Sequence, residues 1–294
     1  MRVVSNFSFH EIIFLVKSLI YFLLIGIGLL SGAASPSIAK NSWPVYAFQN
    51  GVHFKTVKER VQVLKELGYH GIGSAKLAQS DIPLSQRLKH YDEAGLKLFS
   101  FYIGGKLTKE GHSYSPEIKE AIRQLKGRDT VLELFVQGNK QSNNDDQAVA
   151  FVREIADQAK ASGLRVVLYP HANFYIDRIG DAVRIARKSG RDNVGVMFNL
   201  CHFLKVEPGS DLRKAITDAA PLLWQVSING ADKEGTSWEQ LIQTLDQGDF
   251  DHRALLQMLD QIDFQGNIGF QCYAIRGDSR QNLKRSIDAW KKLR

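Results

Sequence analysis

From residue 43 to its end this chain repeats one pattern: a short apolar run, then an amphipathic helical stretch, several of which stop at a glycine just before the next run. The runs are WPVYAFQ (43–49), HGIGS (70–74), LKLFSFYI (96–103), TVLELFVQ (130–137), RVVLYPHA (165–172), NVGVMFNL (193–200), LLWQVSIN (222–229) and NIGFQCYA (267–274). Continuous apolar runs of this length are expected of parallel strands buried on both faces. TVKERVQVLKELG sets Val57, Val61, Leu64 and Leu67 on one helical face and stops at Gly68, while two later helical stretches stop at Gly163 and Gly190. Glycine ends helices this way because it enters the left-handed conformation without a Cβ clash. Eight such units in about 250 residues predict an α/β fold, a closed (β/α)8 TIM barrel forming a single domain over residues 43–294. A doubly wound open sheet is the alternative. It lacks its glycine-rich turn, since IGGK at 103–106 does not complete the G-x-G-x-x-G spacing.

The first 39 residues stand apart. Lys17 precedes the apolar stretch Ser18–Leu30, and SPSIA follows, with Ser37 and Ala39 at the small positions of a cleavage site. This order predicts a signal peptide over residues 1–39 and an exported protein, periplasmic or extracellular. IIFLV before Lys17 leaves an uncleaved N-terminal membrane anchor as the alternative. With the signal cleaved, no stable membrane association is expected.

Cleavage after Ala39 removes Arg2, Lys17 and Glu11, which takes the formal charge from +7 to +6. The remaining Lys and Arg are scattered along helical patterns such as RSIDAWKKLR, so they read as solvated faces, and no nucleic-acid partner is expected. The two cysteines, Cys201 and Cys272, end apolar strands. That excludes a disulfide scaffold and favours buried free thiols.

In a (β/α)8 barrel the working site lies at the C-terminal ends of the strands. There the chain places Tyr102 on the third strand, Glu133 and Gln137 on the fourth, and Tyr169, His171 and Asn173 at the fifth. Asn199 and His202 end the sixth, Ser227 and Asn229 the seventh, with Asp232 beyond, and Gln271 and Tyr273 the eighth. Alternation pairs Tyr169 with His171, Ser227 with Asn229, and Gln271 with Tyr273 on common faces. Amides, imidazoles and phenols converging from several strands suit a hydroxylated small-molecule ligand.

The order of GYHGIG, GLRVVLYPHANF, NVGVMFNLCHF, VSINGAD, GDFDHRALLQMLDQIDFQGNIGFQCYAI and NLKRSIDAWKKL resembles the xylose isomerase-like TIM barrels, the superfamily of sugar phosphate isomerases and epimerases that also contains endonuclease IV. The resemblance implies a carbohydrate-metabolising isomerase or epimerase and a metal held by Glu, Asp, His and Glu. By position those ligands fall on Tyr169, Asn199, near Ser227 and on Gln271, with His202 retained from the D-x-x-H pattern. Every acidic position has become neutral. A divalent cation needs anionic oxygens or several imidazoles, so no metal or other cofactor is expected. The alternative is manganese or zinc on His171 and His202 with help from Asp232 or Glu133.

Two readings of the pocket follow. In the first, an isomerase, epimerase, or keto-sugar lyase or hydrolase uses His171 as base and His202 as acid or orienting partner. Tyr102, Glu133, Gln137, Tyr169, Asn173, Asn199, Ser227, Asn229, Gln271 and Tyr273 then bind the carbohydrate. In the second, the same pocket binds a sugar or cyclitol without turning it over. DNA repair is disfavoured by export and by the missing multi-metal ligand set.

Overall fold

The computed structural model describes residues 42–48, 50–74 and 82–294, and the proposed signal segment lies outside them. Nine strands form one sheet: β1 (Val45–Phe48), β2 (Gly71–Ser74), β3 (Lys97–Thr108), β4 (Gly111–Tyr114), β5 (Val131–Gln137), β6 (Arg165–Leu168), β7 (Val194–Asn199), β8 (Leu223–Ile228) and β9 (Asn267–Phe270). Their order is β2-β1-β9-β8-β7-β6-β5-β3-β4, and β2 also pairs with β3. Eight parallel strands thus close on themselves as a (β/α)8 barrel, which excludes the open sheet.

The helices are α1 (Val57–Leu67), α2 (Leu84–Ala94), α3 (Glu117–Gln124), α4 (Asp145–Ala161), α5 (Ile179–Ser189), α6 (Leu200–Val206), α7 (Leu212–Ala219), α8 (Trp238–Leu241), α9 (His252–Gln261) and α10 (Ser279–Leu293). Local chemistry sets their ends. Thr56 accepts the Glu59 N–H to open α1, and Gly68 at φ 88° closes it. A reciprocal Asn144–Gln147 capping box opens α4. The buried face of α1 carries Val57, Val61, Val63 and Leu64, and Leu67 is only partly covered. Full burial of Leu64 contributes about 1.5–3 kcal/mol.

The structure departs from the sequence pattern in three places. The third strand does not stop at Ile103: it continues to Thr108 and turns back as β4, antiparallel to it. Glu154 on α4 anchors this hairpin, bonding His112 Nε2 at 2.8 Å and accepting from the Tyr114 hydroxyl. The fifth and eighth strands end earlier than their apolar runs, at Leu168 and Phe270. Tyr169 and Gln271 each still donate one N–H to the neighbouring strand, to Leu134 O and Ile228 O at 2.9 Å, and Pro170 then has no N–H to continue the ladder. Finally, β7 runs directly into α6, so Leu200 to His202 are helical.

The larger apolar core lies between strands and helices, and a small cluster of Val131, Val167, Tyr169 and Met197 fills the barrel itself. Beside that cluster Tyr46 reaches across to Glu133 and Gln225. It has room to do so because β9 carries a glycine at its inward position: a Cβ on Gly269 would lie 2.6 Å from the Tyr46 Cζ and hydroxyl oxygen.

Gly269→Ala is therefore expected to destabilise the barrel by about 1–3 kcal/mol through overpacking. Gly180, in α5 with open space around it, is expected to gain about 0.4–1 kcal/mol on Gly180→Ala. Urea denaturation of the two variants checks both signs.

Candidate functional site

The barrel mouth holds a cavity of about 370 Å³, walled by Phe48 at the end of β1 and Asn50 beyond it, Tyr102 from β3, Tyr169, His171, Ala172 and Asn173 after β6, His202 on α6, Trp238 and Ile242 around α8, and Gln271 and Tyr273 after β9. Seven of the twelve residues singled out from the sequence meet here: Tyr102, Tyr169, His171, Asn173, His202, Gln271 and Tyr273. Tyr273 stands at the rim, 49% exposed. None of the described lining residues is a Lys, Arg, Asp or Glu.

His171 sits on a tight turn. Its N–H donates to Ile176 O and its carbonyl accepts the Phe174 N–H, both at 3.0 Å, with Asn173 at φ 67° between them. Asparagine tolerates that left-handed conformation better than most residues. The Phe174 ring stacks on the imidazole at 3.9 Å between centroids. His202 comes from the other side, in the first turn of α6, with its ring centroid 4.2 Å from that of His171. Trp238 packs edge-on against His202 at 5.4 Å, and Lys205 lies over the indole.

One residue fixes the protons on both rings. His171 Nδ1 faces the Ala172 carbonyl at 2.9 Å, so it must carry a hydrogen and donate. His202 Nδ1 accepts the Ala172 N–H at 3.2 Å, so it must be bare. In their neutral forms His171 keeps a lone pair on Nε2, and His202 keeps a hydrogen there. Burial pushes both pKa values below the ordinary histidine value, opposed at His171 by its bond to Ala172 and reinforced at His202 by the neighbouring His171. The pair is neutral near pH 7, one ring an acceptor and the other a donor.

Tyr169, Asn199 and Gln271 form a second cluster. The Tyr169 hydroxyl accepts from Asn199 Nδ2 and, at 3.3 Å, from Gln271 Nε2. Asn199 Oδ1 takes the Cys201 thiol at 3.1 Å, and Gln271 Oε1 takes the Cys272 and Tyr273 N–H groups at 3.1 Å. Both cysteines are buried free thiols, as expected.

The other sequence candidates lie elsewhere. Glu133 points inward but below the cavity, fully enclosed, accepting from Tyr46 and from Gln225 Nε2 at 3.0 Å. Burial pushes its carboxyl up to about 7, against the pull of Ser100 and Tyr46. Gln137 is half-buried at the end of β5, outside the cavity wall. Ser227 is buried in the β7–β8–β9 ladder beside Asn199 and Gly269. Asn229 turns away from the site: its amide donates to Gly230 O at 2.8 Å and Leu241 O at 2.6 Å, tying down the loop after β8. His252 completes that tie through the Asn229 carbonyl. Phe48, Asn50 and Trp238 also line the cavity and are not among the residues singled out from the strand ends. The first strand's run does end on polar residues, which is the same signal that marks the other strands, and Trp238 follows a Ser237–Gln240 capping box in a loop beyond a strand end.

A family model for the xylose isomerase-like TIM barrel matches residues 61–293. Comparison with curated proteins returns no match. Among solved structures, the chain is similar to the apo form of 3-keto-D-glucoside 4-epimerase from E. coli (TM-score 0.67, 17% identity, covering 85% of this chain and 99% of that one). It is also similar to D-allulose 3-epimerase from Methylomonas sp. in complex with D-allulose (0.67, 16%, 86% and 97%) and to the IOLI protein with a binding zinc atom (0.69, 14%, 85% and 97%). At these identities the likeness is one of fold.

The residues of this chain do not fit a zinc-like cation. Among the described residues no group of three or more His, Cys, Asp or Glu is placed to hold a metal. Of the four positions carried over as ligands, three are bonded to one another through the Tyr169 hydroxyl, and their amide oxygens are occupied by other donors. Neutral amides in this state leave the charge of a dication uncompensated.

Glu133 generates a pH prediction. A carboxyl whose folded pKa is raised contributes stability that is complete below its unfolded value near 4.5 and is lost as pH rises through about 7. Denaturation of Glu133→Gln is expected to match wild type at pH 4 and to show greater stability at pH 8, by on the order of 1–3 kcal/mol.

Proposed function

The chain belongs to the xylose isomerase-like TIM barrel family, and we propose that it acts on an uncharged carbohydrate or keto-sugar in the barrel-mouth cavity by histidine-centred proton transfer without a metal ion. The observation that carries this reading is the shared tether of His171 and His202 to Ala172, which presents a bare Nε2 beside an Nε2–H. His171 is the base and His202 the hydrogen-bond donor. Removal of a proton next to a carbonyl needs both, and it is the step that isomerisation, epimerisation and elimination of keto-sugars have in common. Depressed pKa values keep the base unprotonated at neutral pH.

The walls suit such a ligand. Tyr102, Trp238 and Tyr273 offer aromatic faces for the C–H side of a sugar ring, and Asn50 and Asn173 offer amides for its hydroxyls. The absence of cationic side chains among the described lining residues favours a ligand without a phosphate. The same absence of carboxylates supports a second reading, a barrel that binds sugar without turnover. The N-terminal order of Lys17, apolar stretch and SPSIA supports export and maturation near Lys40. N-terminal sequencing of the extracytoplasmic protein tests that, and an intact Met1 would overturn cleavage.

Turnover of a panel of sugars and keto-sugars, with and without manganese, separates the enzyme from the binder. On a substrate that is turned over, His171→Gln is expected to lower kcat about 10²–10⁴-fold while affinity changes far less. The rate should fall as pH drops through the depressed pKa of His171, below 6.5, because protonation removes the base. Wild-type rates in both His171→Gln and His202→Asn would sink the proposal, as would a large loss of thermal stability in either. Chelator is expected to leave Tm unchanged, whereas a cation at about 100 times its Kd would contribute about 2.7 kcal/mol.

A further inference from the structure

The hydrogen bonds around Tyr169 assign its hydroxyl a direction. Gln271 Oε1 accepts two backbone N–H groups, so its amino group is the end that meets Tyr169, and Asn199 also turns its Nδ2 to Tyr169, with its Oδ1 taking the Cys201 thiol. The Tyr169 oxygen therefore receives two N–H donors. A phenol has one hydrogen of its own and two acceptor sites. With the acceptor sites filled, the hydrogen must be given away, and no described residue takes it. Tyr169 lines the cavity, with its ring 5.8 Å from that of His202 and 6.2 Å from that of His171.

We propose that Tyr169 is a further catalytic residue, whose O–H, together with His202 Nε2–H, receives the carbonyl oxygen of a keto-sugar and holds the enolate that forms on it. This rests on the proton-transfer reading above and narrows its substrate to a carbonyl compound. In the step, His171 Nε2 takes the proton from the carbon beside the carbonyl. The C–H electron pair becomes the C=C bond, and the carbonyl π pair moves onto oxygen, where the two donors meet it. Return of the proton from His171 restores the ketone. Two N–H donors on the phenol oxygen strengthen its O–H as a donor, because they stabilise charge left on that oxygen. The arrangement does with hydrogen bonds what an oxyanion hole does.

Two measurements test it separately. Neutron diffraction of the perdeuterated protein reads the hydroxyl directly: deuterium on Tyr169 Oη directed into the cavity is expected, and deuterium directed at Asn199 or Gln271 would overturn the assignment. Proton NMR in D₂O then follows loss of the signal next to the carbonyl in D-fructose, D-tagatose and D-allulose. Wild-type protein is expected to exchange one of them, and Tyr169→Phe to do so about 10²–10³-fold more slowly, mostly in kcat. 3-Fluorotyrosine at position 169 keeps the hydrogen bonds and changes the acidity, so a shifted exchange rate is expected there. An unchanged rate in both substituted proteins overturns the role of Tyr169 alone. No exchange by wild type overturns the proton-transfer reading and the catalytic role that depends on it, while the neutron map still decides where the hydroxyl points.

Discussion

Water is scarce inside a closed eight-stranded barrel, so a polar side chain that points inward must find its hydrogen bonds on another strand or lose several kcal/mol of solvation. The interior of this chain is arranged around that constraint at two levels. In the lower one, Tyr46 from β1, Glu133 from β5 and Gln225 from β8 meet across the barrel. In the upper one, Asn199 from β7 and Gln271 beyond β9 both serve Tyr169 beyond β6. Tyr102 packs on Phe135 and Tyr169 beside these clusters, adding apolar surface to the floor of the cavity.

The same constraint accounts for the protonation of the site. An imidazolium at His202 would be a buried cation with no carboxylate among the described residues of the cavity wall, and its neighbour at 4.2 Å is another base. Neutrality of the pair is the low-energy state, and Ala172 determines which nitrogen of each ring keeps its hydrogen. The His171 ring is thereby positioned by backbone, which cannot rotate away, on a turn pinned at Ile176 and by the stack on Phe174.

Much of this is legible in the sequence, because the strand–helix alternation is written in local terms. Gly68 and Gly190 close α1 and α5 in the left-handed conformation the pattern demands, and the inward parity of Tyr169, Asn199 and Gln271 follows from side-chain alternation. Depth is not legible. Glu133 and Tyr102 share a parity of the ladder and are register partners on β5 and β3, yet one is sealed below the cavity and the other lines it, since depth depends on how neighbouring strands are staggered. Asn229 reads as a site residue because it ends a strand, whereas its partners, Gly230 O and Leu241 O, are set by a loop whose path no short-range pattern encodes. The β4 hairpin is hidden for a different reason: beyond Ile103 the strand runs on through Gly104–Thr108, GGKLT, and returns as GHSY, neither of which carries an apolar run.

Replacing carboxylates by Tyr169, Asn199 and Gln271 changes what the barrel mouth can stabilise. A cluster of anions needs a cation to hold it together, and it repels electron density on a bound ligand. A cluster of amides feeding a phenol is stable without a counter-ion, and its one unassigned hydrogen is attracted to electron density. The neutral His171 lone pair stands beside this electropositive surface, which places an acceptor for a proton next to donors for the charge that proton leaves behind. Such a site gains from charge developing on the ligand during reaction more than from charge already present on it. That difference, and not binding strength as such, is the physical basis on which the proposed histidine chemistry would accelerate enolisation.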